Sequence, residues 1–322
     1  MRAIQFSETG GPDVLGLVDV ADPDPAPGEL VVRIAAAGVN FIDTYHRSGL
    51  YPVPLPYICG LEGAGDVVAV GEGVEQLIGD RVAWATVPGS YAELVKVPAR
   101  AAVPVPVAVD IDSAAAALLQ GMTAHYLTTD TFPLAEGHRC LVHAGAGGVG
   151  LLLIQIAKHL GAEVFTTVGS EWKAELTRDA GADHTIIYRD VDFAEAVRTI
   201  AGDRPIDVVY DGVGASTFEQ SLGLLRRRGT MVTYGNASGP VPPISPLVLS
   251  ANGSLFLTRP TLADYTAAPG ELQRRAADIF GWITDGVLSL RIGLTLPLDQ
   301  AAEAHRQLEA RTTSGKVLLR VG

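Results

Sequence analysis

Between Cys140 and Gly161 the chain passes through three kinds of residue in an order that constrains its fold more than any other stretch. Cys140–Ala144 is a short apolar run fit for a buried strand. It breaks into Gly145-Ala-Gly147-Gly-Val-Gly150, then resumes as Leu151–Leu160, apolar, long enough for a helix and closed by Gly161. Strand, glycine turn and helix in this order predict the start of a dinucleotide-binding βαβ unit. One glycine allows the tight turn, one the close approach of a pyrophosphate, and one the packing of helix on strand. The helix start adds unpaired N–H groups and the positive end of its dipole. Gly145, Gly147, Gly148, Val149 and Gly150 are therefore candidate phosphate contacts. Glycine turns also occur for packing alone, and it is the flanking strand and helix that favour nucleotide binding here.

The 322 residues predict two domains of ordinary size, and 48% hydrophobic residues can fill both cores. A formal net charge of −12 argues against nonspecific binding to a nucleic acid backbone. The first residues lack the apolar core of a signal peptide, and no apolar run approaches the ~18 residues of a membrane helix. Two cysteines, Cys59 and Cys140, sit among apolar neighbours and read as buried thiols rather than a disulfide framework. A cytoplasmic, reduced protein is the expectation.

Residues 1–110 read as β-rich, with short strand candidates at 2–6, 15–20, 29–36, 65–70, 80–85 and 91–97, separated by glycine, proline or charged turns. The segment Phe41–Tyr57 breaks this rhythm. It carries Asp43, Tyr45, His46, Arg47 and Tyr51 beside Pro52, Pro54 and Pro56, and reads as an irregular segment lining a site. A helix follows, capped by Asp112 or Ser113 and jointed near Gly121. After Gly150, strands (163–168, 184–188, 206–210, 230–234, 254–258) alternate with helices (171–180, 192–200, 216–225). That alternation predicts a parallel sheet covered on both faces. Arg226–Arg228 reads as the cationic end of the third of these helices, closed by Gly229. The tail, with helices at 270–284 and from Asp299 and strands at 287–296 and 316–321, is expected to return to the first domain's sheet. The fold class is thus α/β, with domains at 1–121 plus 261–322 and at 122–260.

In an NAD-selective site, an acidic residue about 20 positions beyond the glycine turn bonds the ribose hydroxyls. Here the second strand ends in Val168-Gly169-Ser170, with Lys173 and Tyr188 further on. A hydroxyl and an ammonium suit a 2′-phosphate, so NADPH is expected over NADH, although Glu171 leaves some NADH use open. Seven histidines show no His-x-x-x-His spacing, and there is no Cys-x-x-Cys, so no metal site is expected. The chain has no Gly-x-Ser-x-Gly elbow and no Gly-x-x-x-x-Gly-Lys-Ser/Thr loop. What remains is a hydride carrier and polar groups to orient an acceptor.

The segments Ala37–Pro52, Gly60–Gly65, Gly79–Val82, Ala144–Gly150 and Tyr234–Gly239 resemble the zinc-independent quinone oxidoreductases, the zeta-crystallin-like branch of the medium-chain dehydrogenase/reductase superfamily. Asn40 and Leu61 stand where zinc-dependent relatives carry a ligating cysteine and histidine. The resemblance implies a Rossmann doubly wound parallel sheet plus a discontinuous GroES-like β-rich domain, with the active site in the cleft. It implies that Asn40, Tyr45 and Tyr51 line the reacting pocket, with Asn40, Asp43, Tyr45 and Thr123 on the cofactor side. Gly147, Gly148 and Val149 would meet the pyrophosphate, Ser170, Lys173 and Tyr188 would hold the adenosine phosphate, and Asn236 and Arg311 would complete the cofactor contacts. It also implies a homodimer through the edge strand Ser254–Thr258.

The expected activity is hydride transfer from NADPH to a quinone, with Tyr51, Tyr45 or an ordered water stabilising the oxyanion. Reduction of an activated carbon–carbon double bond is the near alternative, because Tyr51 cannot separate the two. A crystallin-like NADPH-binding protein with little turnover is the third.

Overall fold

The computed structural model describes residues Met1–Val321. In chain order the early elements are β1 (Arg2–Phe6), β2 (Gly16–Asp19), β3 (Glu29–Val39), α1 (Phe41–Ser48), β4 (Tyr57–Ile58), β5 (Glu62–Val70), β6 (Arg81–Trp84), β7 (Leu94–Pro98) and β8 (Val103–Pro104). Helix α2 (Ile111–Tyr126) leads to β9 (Arg139–Val142), α3 (Gly148–His159), β10 (Glu163–Val168), α4 (Glu171–Asp179), β11 (His184–Ile187), α5 (Phe193–Ala201) and β12 (Ile206–Asp211). Then come α6 (Phe218–Leu222), β13 (Leu225–Thr233), α7 (Leu247–Ala251), β14 (Phe256–Thr258), α8 (Glu271–Thr284), β15 (Ile292–Pro297), α9 (Ala301–Glu309) and β16 (Lys316–Arg320). No helix among the described residues is long and apolar enough to cross a membrane.

The chain divides into two compact units. One holds Met1–Gln120, Ala268–Gly286 and Leu290–Val321; the other holds Gly121–Ala267 and Val287–Ser289. Residues 261–267 group with the second unit for a local reason. The Tyr265 ring stacks on Tyr126 at 4.2 Å and 11°, and the Thr131 hydroxyl donates to the Tyr265 oxygen at 3.0 Å.

The first unit is built on a sheet of order β15-β16-β3-β5-β6-β8, with β7 also pairing β3, and a small sheet β2-β1-β4. The tail strand β16 runs antiparallel to β3, with Val317 opposite Val39 and Arg320 opposite Ala36. Sequence ends far apart thereby share one core, in which Val39, Leu30, Trp84, Val317 and Leu319 are buried.

The second unit holds six strands, all parallel, in the order β11-β10-β9-β12-β13-β14. Strand order reverses between β9 and β12, and ligands in open sheets of this kind sit outside the carboxyl ends of the strands at that reversal. The near-continuous apolar strands follow from burial on both faces: Leu141, Val142, Val208, Val209 and Tyr210 are all fully buried.

Four expectations need correction. Phe41–Ser48 is helical rather than irregular. Asn40 is extended at the helix start, the Asp43 carboxylate reaches back to the Asn40 N–H, and Gly49 ends the helix at φ 83°. The prolines that suggested irregular chain come only after that end. Helix α2 runs unbroken through Gly121, because burial of Leu118 and Met122 around it offsets a glycine cost of about 1 kcal/mol. Its start is held by Asp110, not Asp112 or Ser113: Asp110 accepts the Ser113 N–H at 2.9 Å and the Ser113 hydroxyl at 2.6 Å. Arg226–Arg228 lies on β13, since α6 already ends at Leu222, and it is Arg228 rather than Gly229 that turns left-handed, at φ 58°.

Candidate active site

In the first unit, α1 has Asn40 at its N-cap, Asp43 and Tyr45 within it and Tyr51 just beyond its end. Asn40 is almost wholly buried, and every polar atom of its carboxamide is engaged. Its Nδ2 donates to Glu62 Oε2 at 3.0 Å and to the Gly38 carbonyl at 3.3 Å. Its Oδ1 accepts from Lys316 Nζ at 2.8 Å and from Gln120 Nε2 at 3.2 Å. Lys316 also pairs with Glu62, whose second oxygen accepts the Leu119 N–H at 2.7 Å.

Asp43 links this cluster to a second one. Its Oδ2 accepts the Asn40 N–H at 2.8 Å and the Tyr91 hydroxyl at 2.9 Å, while Oδ1 is buried without a partner. Tyr91 also meets His305 Nε2 at 3.3 Å, and Arg47 approaches His305 Nδ1 at 3.2 Å. An arginine can only donate, so Nδ1 accepts and the proton sits on Nε2, pointing at the Tyr91 oxygen. Arg47 closes the chain on Glu309 with contacts of 2.6 and 3.1 Å.

Burial pushes the Asp43 carboxyl up to about 7, against the opposing pull of the Asn40 N–H and Tyr91. Burial, then the Arg47 charge, drives His305 down to about 3. The two have opposite linkage signs. An aspartate raised from 3.8 binds its proton more tightly in the folded state, so its contribution is present below pH 3.8 and is lost as pH rises through about 7. A histidine lowered from 6.5 contributes fully above pH 6.5 and loses that contribution as pH falls toward 3. Asp43→Asn removes only the first. The melting temperature of this variant relative to the parent is expected to climb from pH 4 to pH 7, by the equivalent of one to a few kcal/mol in total. A difference that stays flat or falls across that range would show that Asp43 is ionised throughout.

Beside this network lies an aromatic cluster. Tyr45 and Tyr51 meet edge-on at 5.2 Å between centroids, and the Tyr51 N–H donates to the Tyr45 carbonyl at 3.1 Å. Phe41 lies 6.3 Å from Tyr45, and His46 5.7 Å from Tyr57. Tyr51 is half-buried.

In the second unit, the glycine turn follows β9. Ala144 is left-handed at φ 55°, and its carbonyl accepts the Gly147 N–H at 2.9 Å. A Cβ on Gly145 would lie 1.9 Å from Thr166 Oγ1, and one on Gly150 would lie 2.4 Å from the Ala144 oxygen. A Cβ on Gly147 would lie 3.2 Å from the Ala144 oxygen, a tight contact rather than a collision. Gly148, Val149 and Gly150 are the first residues of α3 and present their N–H groups there.

The neighbouring strand ends carry the other predicted contacts. Ser170 is the N-cap of α4, with Gly169 alone between it and the end of β10, and its hydroxyl makes no capping bond. Tyr188 directly follows β11, with its hydroxyl 2.7 Å from where a Gly169 Cβ would stand. Lys173 lies over the Trp172 ring at 5.2 Å. Glu171 is committed to Arg178 at 2.6 Å. Asn236 lies in the turn after β13, and Thr123 is buried on α2. Arg311 belongs to the first unit, left-handed at φ 59° after α9. The predicted residues thus divide between the two units.

Residues absent from the sequence-based set are Glu62, Tyr91, Gln120, Arg189, His305 and Lys316. Arg189 Nε approaches the same Gly169 position at 3.7 Å. The signal available for Arg189 was its place directly after Tyr188. Lys316 and Glu62 carried none, because charged residues in strands ordinarily face water. Cys59 and Cys140 are buried free thiols, and burial pushes Cys140 up to about 12. Among the described residues, no group of three or more His, Cys, Asp or Glu side chains could hold a metal ion.

Two family models match the chain: an alcohol dehydrogenase GroES-like domain over residues 26–107 and a zinc-binding dehydrogenase domain over residues 148–267. A quinone oxidoreductase from Pseudomonas aeruginosa is 46% identical over 321 residues, covering 99% of both chains. A crystal structure of Escherichia coli quinone oxidoreductase complexed with NADPH superposes with a TM-score of 0.97 at 42% identity, covering 99% of this chain and 100% of that one. A 2-haloacrylate reductase from a Burkholderia species is 42% identical, covering 99% of this chain and 98% of the relative.

Proposed function

The chain belongs to the zinc-independent quinone oxidoreductases of the medium-chain dehydrogenase/reductase superfamily, and on that premise we propose that it reduces quinones with NADPH. The observation that carries this is the carboxyl edge of the parallel sheet. There Gly145 and Gly150 leave no room for a side chain, Ser170 keeps its hydroxyl uncommitted to the cap, and the acidic Glu171 is held by Arg178. An edge of that kind accepts a pyrophosphate and offers a 2′-phosphate donors instead of a repelling carboxylate.

NADPH would be held by Gly145, Gly147, Gly148, Val149 and Gly150 at the pyrophosphate and by Ser170, Lys173 and Tyr188 at the 2′-phosphate, with Thr123, Asn236 and Arg311 as further contacts. When bound it supplies the hydride, two electrons with one hydrogen nucleus. The chain's own residues then have an acceptor to orient and one proton to deliver for each quinone reduced to hydroquinone. Tyr45 and Tyr51 offer an aromatic pair to a flat ring. Tyr51, half-buried on that pair, is the proposed proton donor to the developing oxyanion. In this reading Asn40, Tyr45 and Tyr51 serve the reacting end, and Asn40, Asp43, Tyr45 and Arg311 are the first unit's contributions to the cofactor.

Replacing Lys173 by alanine is expected to raise KM for NADPH roughly 10- to 100-fold while changing KM for NADH by less than about twofold. Equal effects on both cofactors would remove Lys173 from the 2′-phosphate site. The activity itself is tested by a panel of benzoquinones, naphthoquinones and 2-enoyl thioesters, followed at the NADPH absorbance band. Turnover with quinones supports the proposal, and turnover confined to the activated alkenes would replace it. That second reading is favoured by the similarity to 2-haloacrylate reductase.

By the same reading the protein is cytoplasmic and pairs through β14. This strand has a neighbour on one side only and exposes Phe256 at 62% and Leu257 at 37%. An apolar open edge invites a second copy. Phe256→Asp is expected to convert a dimer into a monomer by light scattering; a parent protein already monomeric would refute the pairing.

A further inference from the structure

We propose that the buried Glu62–Lys316 ion pair is a positioning device for the reaction, fixing the one orientation of the Asn40 carboxamide and through it Gln120. The proposal rests on the placement of Asn40 at the acceptor side. Both charges are sealed from water, with side-chain exposures of 0% for Glu62 and 3% for Lys316. A buried ion pair is poor value for stability, since well-packed apolar residues of the same volume commonly do as well, so its presence calls for another use.

The geometry supplies that use. Lys316 donates to Asn40 Oδ1, and Glu62 accepts from Asn40 Nδ2. Rotating the carboxamide by half a turn would set its NH2 against an ammonium and its oxygen against a carboxylate. The ion pair therefore reads the two ends of the amide and permits only one. Room for the device comes from Gly38. A Cβ there would lie 2.5 Å from Glu62 Oε2 and 2.8 Å from Lys316 Nζ.

The fixed Oδ1 then receives Gln120 Nε2 at 3.2 Å. Gln120 is half-buried, and the contact with Asn40 sets where its remaining amide groups stand. Meanwhile the Leu119 N–H is held on Glu62, so the same carboxylate anchors the backbone beside Gln120. Lys316 and Glu62 act through Asn40 and are positioning residues.

The test uses the full-length protein, amide-labelled on asparagine side chains, together with steady-state kinetics on NADPH and a benzoquinone. The Asn40 Nδ2 protons, identified by their loss in Asn40→Ala, are expected as one resolved, slowly exchanging pair. Lys316→Met alone strands a buried carboxylate and threatens folding. The informative variant is therefore Glu62→Gln combined with Lys316→Met, which removes both charges at similar volume. It is expected to melt cooperatively, to lose the resolved Asn40 pair and to drop kcat roughly 10- to 100-fold, with KM for NADPH within about twofold. Introduced into Asn40→Ala, the same two changes are expected to cause no further loss. An unaltered Asn40 pair, an unaltered kcat, or a full additional loss in the Asn40→Ala background would overturn the proposal. Normal turnover by Asn40→Ala itself would instead remove Asn40 from the reaction, and the device with it.

Discussion

Tyr51→Phe is expected to lower kcat by roughly 10²- to 10⁴-fold while leaving the affinity for NADPH within about twofold. The substitution removes one oxygen and keeps the ring that meets Tyr45 edge-on at 5.2 Å, so the local packing survives. What is lost is the hydroxyl proposed to meet the developing oxyanion. Because the pyrophosphate and 2′-phosphate contacts are assigned to the β9, β10 and β11 ends of the other unit, cofactor titration serves as the internal control. A variant that turns over normally would take Tyr51 out of the chemistry, leaving Tyr45 or a water as the donor. Parallel loss of kcat and cofactor affinity would point to a misfolded α1 instead.

Gly150→Ala is the second large effect. The new methyl would stand 2.4 Å from the Ala144 carbonyl oxygen and 2.7 Å from that of Gly145. Both obstacles are backbone, so neither can rotate away. The Ala144 carbonyl is further tied by the Gly147 N–H. Helix α3 must therefore back away from the turn, and its first N–H groups leave the positions a pyrophosphate needs. We expect affinity for NADPH to fall at least ~100-fold, with a cooperative melt retained because the buried face of α3 can still cover the sheet. Binding of NADPH at parental affinity would show that the pyrophosphate is held elsewhere.

The two sites differ in how far they could be read from residues alone. The glycine turn is local: a strand, three spaced glycines and a helix lie within one short stretch, and the physical need for Gly145 and Gly150 shows in a Cβ collision. Strand–helix alternation likewise announced the parallel sheet, because burial on both faces leaves runs such as Cys140–Val142 and Val208–Tyr210 without polar interruption. The acceptor side was harder. Asn40, Tyr45 and Tyr51 stood out as polar and aromatic residues among prolines, but their partners are distant in sequence. Lys316 lies 276 positions from Asn40, and His305 lies 214 from Tyr91. Such pairings follow from β16 lying antiparallel to β3, and no local pattern encodes that register. The helical form of Phe41–Ser48 was hidden for a related reason. Its cap depends on Asp43 turning back to the Asn40 N–H, a short-range signal overshadowed by the prolines beyond Gly49.

The central step is direct hydride transfer from NADPH to a quinone. Rapid mixing of the NADPH-loaded protein with a benzoquinone, under single-turnover conditions, tests this most directly when the cofactor carries deuterium at the transferred position of its nicotinamide ring. The NADPH absorbance is expected to fall in one step, slower with deuterium than with hydrogen, and equally fast after dialysis against a chelator. An absorbance that persists in the presence of quinone, or a decay abolished by the chelator and restored by added zinc, would contradict direct transfer.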